Sequence, residues 1–337
     1  METERIESME TEQYEHYIGL DWAQMNMAAA VLSKGFKKVR YLEDVPNIEK
    51  LKKFIKSFSG TKMLVIEETT STQWLFIALI DCVDKLVVCD PYRNRLMTHG
   101  AKTDRIDSLK LAQLGLRGDM NIVYHSTAGI MNLRKLVSAY EDVVRAIVRA
   151  KNQMSAVYRG ECKSYQKKDA LYYEENIFVE SKKKKEIEFL EEQKKDYEKK
   201  FKVYMKKTSI RNLMTIPGIG LINAVKIACT IIDPRRFKDK SKLFGYCGLA
   251  KHIKISGGRS YGKKNTRYSR IMKCVFKTAA MAAINADKNE FKTYYESMVS
   301  AGVHEHSARN AVARKIAVIA MAIMKKGQKY IEKQIAA

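Results

Sequence analysis

Hydrophobic positions in the first third of the chain fall in short runs, alternating with stretches of helical spacing. Tyr17-Ile-Gly-Leu-Asp-Trp-Ala, continuing through Met27–Ser33, predicts a strand and its hairpin partner. Lys62–Glu67 is a nearly unbroken apolar run and predicts a buried strand. Trp74–Asp81 has helical spacing, and Lys85–Cys89 predicts a third strand that stops before Pro91. Residues 103–116 set Leu109, Leu111, Leu114 and Leu116 among polar side chains and predict a helix. Strands alternating with helices imply an α/β domain over residues 15–127.

The pattern changes after that. From 128 to 207 glycine and proline nearly vanish, and Glu- and Lys-rich helical patterns take over. The charged stretch that opens at Ser181 has the character of a coiled coil, which predicts a solvated helical spacer or an antiparallel hairpin with its connection within Tyr165–Val179. A further, mostly helical unit is expected over 208–337. Near its start, Ile216-Pro-Gly-Ile-Gly resembles the loop of a helix–hairpin–helix, where the backbone N–H groups of Gly218 and Gly220 would meet a phosphate. Pentamers of this kind also serve as plain turns.

Charge narrows the partners. The chain of 337 residues carries 62 Lys+Arg against 38 Asp+Glu, a formal +24. Residues 208–337 hold 25 basic against 7 acidic residues, and Lys251–Lys277 holds nine basic residues and no acid. A solvated helical face mixes signs, so this segment is suited to a polyanion, nucleic acid first. A membrane-spanning role is not expected, because no apolar run reaches the ~20 residues that a span requires. The first fifteen residues hold six Glu and one Arg, the reverse of a targeting leader, and residues 1–14 are read as a disordered acidic lead-in. The six cysteines lie apart without a C-x-x-C pair, which implies reduced thiols in the cytoplasm rather than disulfides or a zinc site.

Four acids stand where acids are costly. Asp21 and Glu67 end apolar strands, and Asp104 and Asp107, at i and i+3, share one helix face. Converged, they would form an oxygen-rich cage for Mg²⁺ or Mn²⁺. Taken singly, each has an ordinary explanation: a strand-end turn for Asp21, a helix cap for Asp104. Lys102 and Arg105 flank the helical pair and suit a site that holds a polyanion.

The residues resemble a known family. Gly19-Leu-Asp-Trp-Ala, Ile66-Glu-Glu-Thr-Thr and Lys102-Thr-Asp-Arg-Ile-Asp resemble the acidic motifs of DEDD-type insertion-sequence transposases, a group related to the Piv DNA invertase, with several members guided by a bridge RNA. Ile216-Pro-Gly-Ile-Gly, Phe244-Gly-Tyr-Cys-Gly-Leu-Ala, Ser256-Gly-Gly and Ala311-Val-Ala-Arg-Lys resemble that family's C-terminal transposase domain in order and spacing. The resemblance implies a RuvC-like, RNase H-type N-terminal domain, with Asp21, Glu67, Asp104 and Asp107 as divalent-metal ligands. It also implies Ser256 as a nucleophile that forms a covalent phosphoserine link to DNA. Arg259, Lys263, Lys264, Arg267 and Arg270 then become phosphate contacts around that serine. The implied partners are donor and target DNA, a structured guide RNA, and further copies of the chain in a dimer or tetramer, in a prokaryotic cytoplasm at the nucleoid.

The match has departures. The family's Glu-Ala-Thr-Gly is Glu67-Glu-Thr-Thr here, so Glu68 competes with Glu67 as the ligand. A proline common after Gly-Leu-Ala is Lys251, and a downstream glycine is Asn265. Three other functions fit the same residues: a site-specific invertase of Piv type, a junction nuclease using carboxylates and water alone, and a nucleic-acid-binding protein without catalysis.

Overall fold

Alternating hydrophobic and small residues in the first strands build a sheet that is buried on both faces. The computed structural model describes residues 14–331 except 36–37, 93, 95–102, 119, 128, 168, 265–266 and 288. The acidic lead-in up to residue 13, Lys102 and Asn265 therefore lie outside the described residues. The chain divides into two compact units, Glu2–Thr127 and Ala128–Ala337.

In the first unit, β1 (His16–Trp22), β2 (Met27–Ser33), β3 (Arg40–Asp44), β4 (Lys62–Glu67), β5 (Lys85–Cys89) and β6 (Ile122–Val123) form one sheet in the order β3-β2-β1-β4-β5-β6. β1 runs antiparallel to β2 and parallel to β4. The four strands expected from the apolar runs are present. β3, β6 and α1 (Ile48–Lys56) were not anticipated, because β3 and α1 mix charged with apolar residues and β6 is only two residues long.

Alternation along the strands divides the core in two. Ile18, Leu20, Leu64, Ile66, Leu86 and Val88 pack with Leu51 and Ile55 of α1 and with Leu75 and Leu79 of α2 (Thr72–Leu79). Tyr17, Met63, Val65, Val87 and Cys89 point to the other side, against Leu111 and Leu114 of α3 (Asp104–Arg117). The result is a sheet with helices on both faces, a mixed α/β unit.

α3 lies unusually close to the sheet because small residues face it. A Cβ added at Gly19 would sit 2.0 Å from the Ser108 carbonyl oxygen and 2.4 Å from the Ala112 nitrogen. Gly19 pairs with Ala30, and Asp21 with Ala28, so the neighbouring strand also presents methyl groups beneath the helix. On the helix side, Gly115 leaves room for Val65, whose Cγ2 would lie 2.9 Å from an added Cβ.

The second unit is mostly helical, as expected. α4 (Leu133–Gly160) and α5 (Glu174–Lys202) form an antiparallel hairpin, tied by Lys151–Glu191 at 2.9 Å and by the Tyr158–Glu180 and Tyr140–Glu198 hydrogen bonds. Their connection spans 161–173, starting earlier than the Tyr165–Val179 interval. The base of the hairpin merges with the helices of the C-terminal segment. Leu133, Val137, Tyr140 and Phe201 share one core with residues of α6 (Thr208–Leu213), α7 (Leu221–Ile231), α9 (Arg270–Asn285) and α11 (Glu305–Lys326). Large apolar side chains at the start of α4 and the end of α5 account for this, so 128–207 and 208–337 fold as one unit. α8 (Lys240–Tyr246) and α10 (Glu290–Ser300) complete the helices.

One element of this unit is not helical. Around Ser256 the chain forms a two-stranded hairpin, β7 (His252–Ser256) and β8 (Arg259–Lys264). Ser256 pairs with Arg259, leaving Gly257-Gly258 as a two-residue turn with φ of 54° and 75°. Both positions need the left-handed region that glycine supplies, which is why a primed hairpin turn forms here.

Candidate active site and nucleic-acid interface

The parallel register of β1 and β4 aligns Leu20 with Ile66. Asp21 and Glu67 follow at the next aligned positions, both on the face covered by α3. The helix brings the other two acids. Thr103 caps α3 by accepting from the Ile106 N–H, so Asp104 is not spent as a cap. Both Asp104 and Asp107 lie in the first turn, where the helix dipole favours negative charge. Asp21 is likewise no turn residue, since it pairs with Ala28 inside the strand.

The four acids are near enough for their charges to act on one another. Asp21 is pushed up to about 6, first by burial and then by Asp104 and Asp107. Glu67 is raised by burial, then by Asp21 and Asp107. Carboxylates that raise one another in this way are stabilised by nearby positive charge. Among the described residues, Lys110 Nζ lies 3.2 Å from Asp107 Oδ1. The donor set, oxygen only and strongly anionic, fits a hard divalent cation. Among the described residues no three His, Cys, Asp or Glu side chains stand as a closed ligand set.

Glu68 is separated from this group by the pleat. It points to the opposite face, where His125 Nε2 lies 2.5 Å from its Oε2. His125 Nδ1 is 2.8 Å from Gln73 Oε1, and Gln73 Nε2 donates to the Ser126 carbonyl. Thr72 Oγ1 donates to the Glu67 carbonyl at 2.9 Å and fixes the strand exit against α2. The register therefore favours Glu67 over Glu68 as the member of the acid group.

Gly19 appears in the first acidic motif without an assigned role, and Thr72, Lys110 and His125 were not singled out. Gly19 carried a signal, since a glycine two residues before Asp21 lies on the same strand face. His125 carried none, because its partners lie 52 and 57 residues away.

The expected phosphate contacts divide. Ser256, Arg259, Lys263 and Lys264 all lie on the fully exposed hairpin, and Arg267 and Arg270 follow it on the surface. The hairpin is anchored at its base: Arg314 Nη1 donates to the Leu249 carbonyl at 3.3 Å, and the Ser269 N–H donates to the Tyr246 carbonyl at 2.8 Å. Exposed Ile253, Ile255 and Tyr261 intersperse its cations. A two-stranded ribbon of this kind has the dimensions to enter the major groove of a duplex. Arg105 is otherwise engaged. Its guanidinium bonds Glu43 at 3.0 Å and stacks over the Tyr41 ring at 4.0 Å, which already balances its charge. Gly218 is accounted for by packing, because an added Cβ would sit 2.2 Å from the Ala279 carbonyl oxygen of α9. Gly220 is exposed at the start of α7. The acids and Ser256 belong to different units.

Comparison with known proteins gives three matches. Residues 18–161 match the DEDD transposase model of the IS110 type, and residues 210–296 match a family described as Transposase IS116/IS110/IS902. A similar protein is the "Insertion element IS110 uncharacterized 43.6 kDa protein" of Streptomyces coelicolor, 29% identical over 119 residues. That alignment takes in 35% of this chain and 29% of the relative's length. Among the described residues no helix is long and apolar enough to cross a membrane.

Proposed function

The chain belongs to the IS110-type DEDD transposase family, and on that premise we propose that it cuts and rejoins DNA strands to excise and insert a mobile element. The observation that carries this reading is the placement of Asp21 and Glu67 at aligned ends of β1 and β4 on the face covered by α3, whose first turn carries Asp104 and Asp107. The strand order, with one antiparallel ribbon followed by parallel strands, supports an RNase H-type, RuvC-like reading of the first unit.

In this reading Asp21, Glu67, Asp104 and Asp107 hold Mg²⁺ or Mn²⁺. When bound, the metal polarises the scissile phosphate and stabilises the attacking and leaving oxygens. The chain's residues provide the rest. Gly19 and the alanines of β2 let α3 descend far enough to bring its two aspartates to Asp21. Thr72 holds the Glu67 backbone. Arg259, Lys263, Lys264, Arg267 and Arg270 grip the DNA backbone by charge, an interaction that weakens with salt.

Ser256 is the proposed nucleophile. It sits at the tip of an exposed, acid-free, cationic ribbon, where a hydroxyl meets a phosphate without competing packing. Its Oγ would attack phosphorus and form a phosphoserine ester as a sugar oxygen leaves, the serine proton passing to that leaving oxygen. The ester keeps the energy needed for rejoining. A serine hydroxyl requires activation, so the acid site must be brought to it within one chain or between copies in a dimer or tetramer. A structured guide RNA as the source of target choice belongs to the same proposal, supported by the family and by the +24 charge.

Trapping the reaction on a labelled DNA end tests this. Wild type should yield a protein–DNA covalent species and Ser256→Ala none. Cleavage retained by Ser256→Ala, without any adduct, would replace the serine step by a carboxylate-and-water reaction. RNA that co-purifies with the protein, once sequenced, tests the guide.

A further inference from the structure

The hairpin register gives Ser256 a fixed neighbour. Ser256 pairs with Arg259 across the two-residue turn Gly257-Gly258. Directly paired residues of an antiparallel ribbon send their side chains to the same face, with Cβ atoms about 5 Å apart. The irregularity in the register lies between Ile253 and Ile255, on the side away from the turn, and leaves this pair intact. The serine hydroxyl and the Arg259 guanidinium therefore leave the ribbon side by side.

The other cations of the hairpin stand differently. Lys254 shares the serine's face but lies two residues back, about 7 Å along the strand. Lys264 pairs with His252, four residues from Ser256 and about 13 Å away. Lys263 pairs with Ile253, which by alternation faces the opposite side together with Ile255. The ribbon is thus two-sided, with the exposed isoleucines on one face and the Ser256–Arg259 pair on the other. Its tip is open. A Cβ built on Gly257 or Gly258 would meet no atom of the described residues within 4 Å, so a phosphate reaches the pair without obstruction.

We propose that Arg259 is a catalytic residue, which holds the non-bridging oxygens of the phosphate that Ser256 attacks and stabilises the charge they gain in the transition state. The inference rests on Ser256 being the nucleophile. As the bond from Oγ to phosphorus forms and the bond to the sugar oxygen breaks, negative charge gathers on the non-bridging oxygens. The serine proton passes to the departing sugar oxygen. Arg259 gives up no proton, because a guanidinium stays charged throughout the working pH range. Its parallel N–H groups match the oxygens of one phosphate, a fit that a lysine ammonium supplies only as a point charge. General grip on a DNA backbone needs no particular register. A guanidinium paired with the nucleophile across a two-residue turn is placed for one phosphate.

Single-turnover adduct formation on a labelled DNA end tests this, with the full-length protein, the RNA that co-purifies with it, and Kd measured for the same DNA. Arg259→Ala should slow adduct formation about 100-fold with little change in Kd, and Arg259→Lys should recover part of the rate. A second DNA carries a methylphosphonate at the scissile position, which lacks one non-bridging oxygen and the negative charge. On that DNA, Arg259→Ala should react as fast as wild type. A loss confined to Kd, or an equal loss of rate on both DNAs, would overturn the role and return Arg259 to general grip. If neither protein reacts with the methylphosphonate, the division between rate and Kd decides alone. Ser256→Ala keeps two failures apart. If it forms no adduct while Arg259→Ala reacts at the wild-type rate, the arginine role fails and the serine reading stands. If Ser256→Ala cleaves DNA without an adduct, the serine reading fails and the arginine role falls with it.

Discussion

Replacing Asp21 with asparagine should make the metal-free protein more stable while removing its activity. Asp21 is pushed from an ordinary 3.8 to about 6, mainly by burial and then by Asp104 and Asp107. A shift of about two units corresponds to roughly 3 kcal/mol. The group is only half-buried, and solvent screening reduces this to about 1–2 kcal/mol. The sign comes from linkage. Because the folded pKa lies above the unfolded one, the native state binds the proton more tightly, and stability falls as pH rises from about 4 through 6. Above that window the whole penalty is present. Asparagine keeps the shape without the charge, so Asp21→Asn should exceed wild type at pH 7.5 by about 1–2 kcal/mol, or roughly 3–6 °C in Tm. Near pH 4, where wild-type Asp21 is itself protonated, the difference should vanish. Melting curves followed by circular dichroism at the two pH values, in chelator, provide the comparison. A variant that melts below wild type at pH 7.5, or that differs equally at both pH values, would refute the claim that burial and the neighbouring aspartates penalise the Asp21 charge.

Other perturbations probe the surrounding parts. Gly19→Ala places a methyl group 2.0 Å from the Ser108 carbonyl; because backbone cannot swing aside, the cost should be about 1–3 kcal/mol by chemical denaturation. If α3 shifts by about 1 Å as a result, strand cleavage should fall about 100-fold, and unchanged stability would show that the helix is not held where described. Reversing Lys263 and Lys264 to glutamate should weaken DNA binding and flatten its log–log salt dependence by about two units of slope; an unchanged slope would remove the hairpin from the interface. Glu68→Gln should leave divalent-cation affinity near wild type while Glu67→Gln lowers it, measured by calorimetric titration, and the reverse ranking would exchange their roles.

Much of the first unit was legible because burial on both faces leaves nearly continuous apolar runs, as in Lys62–Glu67 and Lys85–Cys89. β3 and α1 were not, because an edge strand and a surface helix mix charged and apolar residues at short range. The acid positions could be read as strand ends and as an i, i+3 pair. What grouped them in space, a glycine at 19 and alanines at 28 and 30 beneath α3, reads locally as unremarkable small residues. The Ser256 hairpin escaped because its strands are fully exposed and the short Ile253/Ile255 alternation is set among cations; only Gly257-Gly258 hinted at a turn. The Arg105 contact illustrates a further limit, since basic side chains near a site look alike in sequence until a partner such as Glu43, 62 residues away, is known.

The central claim is that Asp21, Glu67, Asp104 and Asp107 act as one divalent-cation site, and Mn²⁺ binding measured by electron paramagnetic resonance tests it most directly. Wild type should bind Mn²⁺, and Asp21→Asn, Glu67→Gln, Asp104→Asn and Asp107→Asn should each weaken that binding by about 10-fold or more. Wild-type affinity in all four variants would contradict the account.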